Sequence, residues 1–202
     1  ESPYSPYGQA QPHGEDDYVT AFIDNFGNAR AEIHLRNNDL NRLHLLLLAR
    51  HRSLSQEQRA RLQTRLQETL AAIRAWLESE LTNYHDYHAG VLAWLPQLGK
   101  RADPYWRDAA ARLRGEAERD ARQLRALDRL WQLTQAPDPL AWLDAHNFSI
   151  SEIIPKKYFG PSNTFVQLRH YTIGLDANLD WIETTTDHQG QPMPMDYFYV
   201  LK

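Results

Sequence analysis

The chain has 202 residues, 42% hydrophobic and 24% charged, with a formal net charge of -4, a balance that supports a self-sufficient core and excludes wholesale disorder. Residues 1–17 hold four acids and no lysine or arginine, so the remaining 22 acids and 22 bases cancel. Residues 50–125 carry 14 bases against 10 acids, which falls short of the basic footprint of a nucleic-acid binder.

Cysteine is absent. That removes disulfides, thiolate metal sites and cysteine nucleophiles together, and it suits a periplasmic or otherwise extracytoplasmic setting in which a stray thiol is oxidised. The longest strongly apolar run, Leu45 to Ala49, is far too short to cross a bilayer.

Residues 1–16 read as a flexible leader, rich in proline and glycine and without apolar periodicity, joining the folded part to an anchor or a removed signal. Residues 17–146 read as a helical bundle domain and 147–202 as a small β region packed on it. In the first helix, Val19, Phe22, Phe26, Ala29, Ile33, Leu40, Leu43 and Leu47 recur at three and four apart from a gap at Arg36, the seam of a rod packed against others. If unbroken from 17 to 51, that rod is roughly 50 Å long. The run Leu45 to Leu48 covers more than one face, which implies either burial by the β region or contact between two copies in a homodimer.

Ser55 followed by Gln58 is a capping box that starts the second helix. Its seam runs Leu62, Leu66, Leu70, Ile73, Leu77, Leu81, Tyr84, His88, Val91 and Leu95, until Pro96 and Gly99 end it. Asp103-Pro104 caps and opens a third helix through Trp106, Ala110, Leu113, Ala117, Leu124, Leu127 and Trp131. On its wet face Asp108/Arg112, Arg114/Glu118 and Glu118/Arg122 stand four apart and are expected to pair. Asp138-Pro139 opens a short fourth helix, Leu140 to His146. Beyond it, 165–173, 179–186 and 195–201 are rich in β-branched and aromatic residues and read as a three-stranded antiparallel meander. The fold class is thus mainly α (α+β): an antiparallel three-helix bundle, a short fourth helix and the meander. It is similar to helical-bundle sensor domains in architecture, and architecture does not confer function.

Short connections fold consecutive helices back on one another. Folding about residues 53 and 99 gathers Tyr18, Phe22, Asp24, Tyr84, His85, Asp86, Tyr87, His88, Tyr105, Trp106 and Asp108 at one end. There Tyr84, His85, His88, Trp106, Tyr105 and Phe22 form a candidate ligand-binding wall. His85, His88, Asp24 and Asp108 form a candidate nitrogen and oxygen set for a divalent metal. The plainer reading, which the sequence favours, seats His88 in the seam and His85 in water, because the glutamate of the HExxH and ExxH motifs is missing. On the Pro-bounded loop after Ile153, Lys156, Lys157, Tyr158 and Phe159 are candidate partner contacts.

No Gly-x-Ser-x-Gly elbow and no phosphate-cradling glycine loop occurs. The reading that results is a non-catalytic extracytoplasmic binding protein with an interaction, sensor or scaffold role, using the bundle surface or its aromatic end. It has no cofactor, binds a protein or small ligand and not nucleic acid, and has no transmembrane segment in this chain. The alternatives are a metal-dependent enzyme at the His/Asp site and an inhibitor or immunity-type protein that blocks another protein.

Overall fold

The computed structural model describes residues 37–153, 165–168, 171–186, 189 and 191–193. It is mostly helical with a small antiparallel sheet. Helix α1 spans Asn37–Ala49, α2 Gln56–Leu98, α3 Pro104–Gln135 and α4 Pro139–Ala145, and a single 3-10 turn follows at Ile150–Glu152. No described helix is long and apolar enough to cross a membrane. The expected leader, the first half of the expected first helix with Phe22 and Asp24, and the loop residues Lys156, Lys157, Tyr158 and Phe159 lie outside the described residues.

The helix starts follow from their capping side chains. Ser55 and Gln58 exchange bonds: the Ser55 N–H donates to Gln58 Oε1 at 2.9 Å and the Gln58 N–H to Ser55 Oγ at 3.1 Å, which serves two of the donors a helix N-terminus leaves open. Asp103 Oδ1 accepts from the Tyr105 N–H at 2.9 Å, and Asp138 Oδ1 from the Ala141 N–H at 3.1 Å. In each case proline takes the next position, where no donor is needed. Pro96 does not stop α2, which runs two residues past it to Leu98. The end comes where the Gly99, Lys100 and Arg101 N–H groups bond back to Leu95, Gln97 and Leu98.

The described residues form two compact units, with borders inside α2 and α3. One comprises residues 75–131 and is a helical hairpin. Val91, Leu95 and Leu98 of α2 are buried together with Ala110, Leu113 and Ala117 of α3, and Trp94 and Trp106 pack against them. Asp120 is buried in the seam of α3, where the three-four spacing calls for an apolar residue.

The other unit comprises residues 37–74 with those from 132 onward. In α1, Leu40, Leu43, Leu45, Leu46 and Ala49 are buried and Leu47 and Leu48 half-buried, so the leucine run is largely covered within the chain. α1 lies beside the second strand of the sheet. Strands β1 (Phe165–Leu168), β2 (Tyr171–Leu175), β3 (Trp181–Thr186) and β4 (Pro192–Met193) pair antiparallel in that order. The stretch 165–173 is therefore not one strand: it folds back with Leu168 opposite Tyr171. Gly174 is not a turn residue but pairs with Phe165 and Ile182 inside β2. The expected strand 195–201 lies outside the described residues.

The turn between β2 and β3 is built by Asp176, whose Oδ1 accepts from the Asn178 and Asp180 N–H groups at 2.8 and 2.9 Å. Leu179 takes a positive φ of 64°, a conformation that costs an L-residue about 1–2 kcal/mol. Its side chain is fully buried, and that burial offsets the cost. Four side chains from the start of α2 and just before it hold this turn: Arg52 donates to the carbonyl of Asp176, Gln58 to that of Ala177, Arg61 to that of Asn178 and Arg65 to that of Leu179. Arg65 also reaches the Asp180 carboxylate at 3.3 Å. Between α1 and β3, Arg42 donates through Nε and Nη2 to Glu183 Oε1 at 3.0 and 2.6 Å.

Candidate functional site

The candidate residues that can be placed, Tyr84, His85, His88, Tyr105, Trp106 and Asp108, all lie in the 75–131 hairpin. Its register decides which of them meet. His88 is half-buried, and its Nε2 donates to the carbonyl of Ala117 at 2.9 Å. The hairpin thus folds back near residue 102, midway between these partners, and not at 99 as the spacing implied. The difference arises because α2 continues through Pro96 to Leu98 and the connection before Pro104 adds further residues.

His88 therefore faces Ala117 and not residue 110. At 1.5 Å per residue, Asp108 stands roughly 13 Å along the axis from His88. His85 is exposed and meets Asp128 on α3, with Nε2 at 2.7 Å from Oδ1. Among the described residues no three His, Asp or Glu side chains are arranged to hold a metal.

Tyr84 is buried. Its hydroxyl accepts from Trp76 Nε1 at 3.0 Å, the rings meeting edge-on at 6.3 Å. It closes the core beside Trp76 and does not face open solvent.

Tyr105 and Trp106 are separate from the histidines and mark the turn end of the hairpin. Tyr105 is 65% exposed, and its ring stands edge-to-face with Trp106 at 5.1 Å. The Arg101 guanidinium lies over the same Trp106 ring at 5.4 Å. Trp106 is pinned from below by the apolar cluster of Val91, Leu95, Leu98, Ala110, Leu113 and Ala117, so the exposed tyrosine and the cation share one rigid base. No family model, no curated protein and no solved structure matches this chain.

The wet face of α3 also differs from its sequence reading. Among the described residues none of the pairs Asp108/Arg112, Arg114/Glu118 and Glu118/Arg122 forms, whereas an ion pair at three-residue spacing joins Arg119 to Glu116 at 3.9 Å. An exposed pair at helical spacing contributes only about 0.3–0.5 kcal/mol, too little to hold two long side chains in one geometry.

Three residues were missed by sequence reasoning. Arg101 sits in a connection without periodicity, so nothing signals its stacking. Asp128 meets His85 although folding about residue 102 sets His85 opposite residue 119, so residue spacing alone does not signal the pair. His44 of α1, in the other unit, is half-buried, and burial lowers its pKa from 6.5 to about 4; its signal is a histidine inside a leucine-rich helix.

Proposed function

We propose that the protein is a non-catalytic binding protein that engages another protein through the turn end of its α2/α3 hairpin. The observation that carries this reading is the cluster of Tyr105, Trp106 and Arg101: an exposed tyrosine and a stacked guanidinium braced on a half-buried tryptophan. Tyrosine, tryptophan and arginine dominate the energetics of protein interfaces: the two aromatics combine a large apolar area with a polar handle and few rotatable bonds, and the guanidinium adds a planar set of donors that stacks on aromatic rings. Bracing lowers the ordering cost paid on association. The lack of cysteine supports a site of action outside the cytoplasm.

The test is site-specific photocrosslinking. A benzoylphenylalanine at position 105 should give a discrete protein adduct in native cells, one that disappears when Trp106→Ala is added. The same probe at exposed Glu68, in the other unit, should give none. Absence of any adduct at 105 would overturn the reading.

A further inference from the structure

We infer that the outward face of α3 is a docking surface for an acidic segment of a partner protein. The inference rests on the binding-protein reading and names the chemistry of the partner. α3 contains seven arginines and no lysine. At 100° per residue, Arg107, Arg114, Arg122 and Arg125 fall within a wedge of about 80°, opposite the buried seam, along about 27 Å of helix. All four are exposed, and none of their side chains makes an ion pair or hydrogen bond among the described residues.

A carboxylate one turn away can pair with a charge on a solvated helix face, but only weakly. Here Glu118 stands four residues from both Arg114 and Arg122 and pairs with neither. Four guanidiniums are left with their planar donor forks presented to solvent. Arginine differs from lysine in matching a carboxylate or phosphate with two parallel donors, so a row made of arginine alone fits recognition better than mere solubility.

Two observations select protein carboxylates over other anions. Glu118 lies inside the wedge; a uniformly negative phosphate backbone meets repulsion there, whereas a protein segment can place a lysine opposite it. The remaining residue of the wedge is Ala111, so no bulky apolar side chain is available to enter a lipid interface, which surface helices need for stable membrane association.

The experiment uses the full chain and a fluorescent helical peptide carrying glutamates at three-four spacing with one central lysine, read by anisotropy. A DNA duplex and phosphatidylcholine vesicles containing phosphatidylserine serve as rival probes. The peptide should bind at about 50 mM salt and weaken at least ~10-fold by about 200 mM. The variant Arg114→Glu/Arg122→Glu/Arg125→Glu should bind at least ~10-fold more weakly with an unchanged melting temperature; should it unfold, Arg122→Gln/Arg125→Gln gives the same comparison without charge reversal.

No peptide binding, binding undiminished in the variants, or tighter stripe-dependent binding of DNA or vesicles would overturn the assignment. Crosslinking at Tyr105 is read independently. Adducts there with no stripe-dependent binding sink the acidic-partner inference alone, whereas loss of the adducts removes the binding-protein reading itself.

Discussion

Gln58 donates its side-chain amide to the carbonyl of Ala177 at 2.9 Å while its Oε1 accepts the Ser55 N–H at 2.9 Å. One side chain thus closes the capping box of α2 and ties the β2/β3 turn to that helix. A glutamate is an equally good acceptor for the first task and cannot perform the second, because a carboxylate has no donor. Gln58→Glu is expected to keep the helix start and to set a negative charge against the Ala177 carbonyl. The expected cost is about 1 kcal/mol, or roughly 2–4 °C in melting temperature for a chain of this size. Calorimetry of Gln58→Glu beside Ser55→Ala separates the two roles: an unchanged melting temperature in Gln58→Glu would show that the tie to Ala177 contributes nothing.

Gly115 sits in the middle of α3, exposed, and a Cβ built there meets no heavy atom within 4 Å. Glycine in a helix interior costs about 0.5–1 kcal/mol relative to alanine, through the extra freedom of the unfolded chain. Gly115→Ala is therefore expected to stabilise the protein by about that amount, measured as a higher urea midpoint at unchanged slope. A loss of stability would mean that the helix is not continuous at this position.

These positions show why parts of the fold were legible. The capping box at Ser55 and Gln58 and the Asp-Pro starts at 103 and 138 are local devices, and local chemistry is written within a few residues. The α2 seam was legible for the same reason: Leu62, Leu66, Leu70, Ile73, Leu77, Tyr84, Val91 and Leu95 are all buried, and Leu81 and His88 half-buried.

The sheet was less legible. The fold-back between Leu168 and Tyr171 has Arg169-His170 where a hairpin usually shows glycine, asparagine or aspartate, and Leu179 takes a left-handed conformation that no sequence rule assigns to leucine. In the candidate site the types of residue were visible but their meeting was not. A three-residue error in the fold-back point moves a facing partner by nearly two helical turns, which is why His88 meets Ala117 and Asp108 stands apart.

Asn41 is fully buried in α1, and neither polar atom of its side-chain amide has a hydrogen-bond partner among the described residues. A buried amide without partners costs about 1–3 kcal/mol in lost hydration. Leucine has the nearest apolar shape, so Asn41→Leu is expected to raise stability by about 1–2 kcal/mol. Equilibrium denaturation measures the gain directly. A destabilised variant would show that the amide makes an interaction in solution that outweighs the gain in apolar burial.

His44 lies one turn from Asn41 on the same helix. Because burial lowers its pKa from 6.5 to about 4, the folded protein keeps His44 neutral at pH values where the unfolded chain has already bound a proton. Between these limits the unfolded state holds more protons, so stability rises with pH across that window and falls as pH is lowered through it. Full conversion of the shift corresponds to about 3 kcal/mol, and partial exposure of the ring reduces this to about 2 kcal/mol. Carboxylates titrate in the lower part of the same window, so the informative quantity is the difference between the wild type and His44→Gln, followed by chemical denaturation at half-unit steps from pH 4 to 7. The wild type should lose stability relative to the variant as pH falls from 6.5, the difference levelling off near pH 4. Parallel profiles over the whole range would show that His44 titrates alike in the folded and unfolded chains.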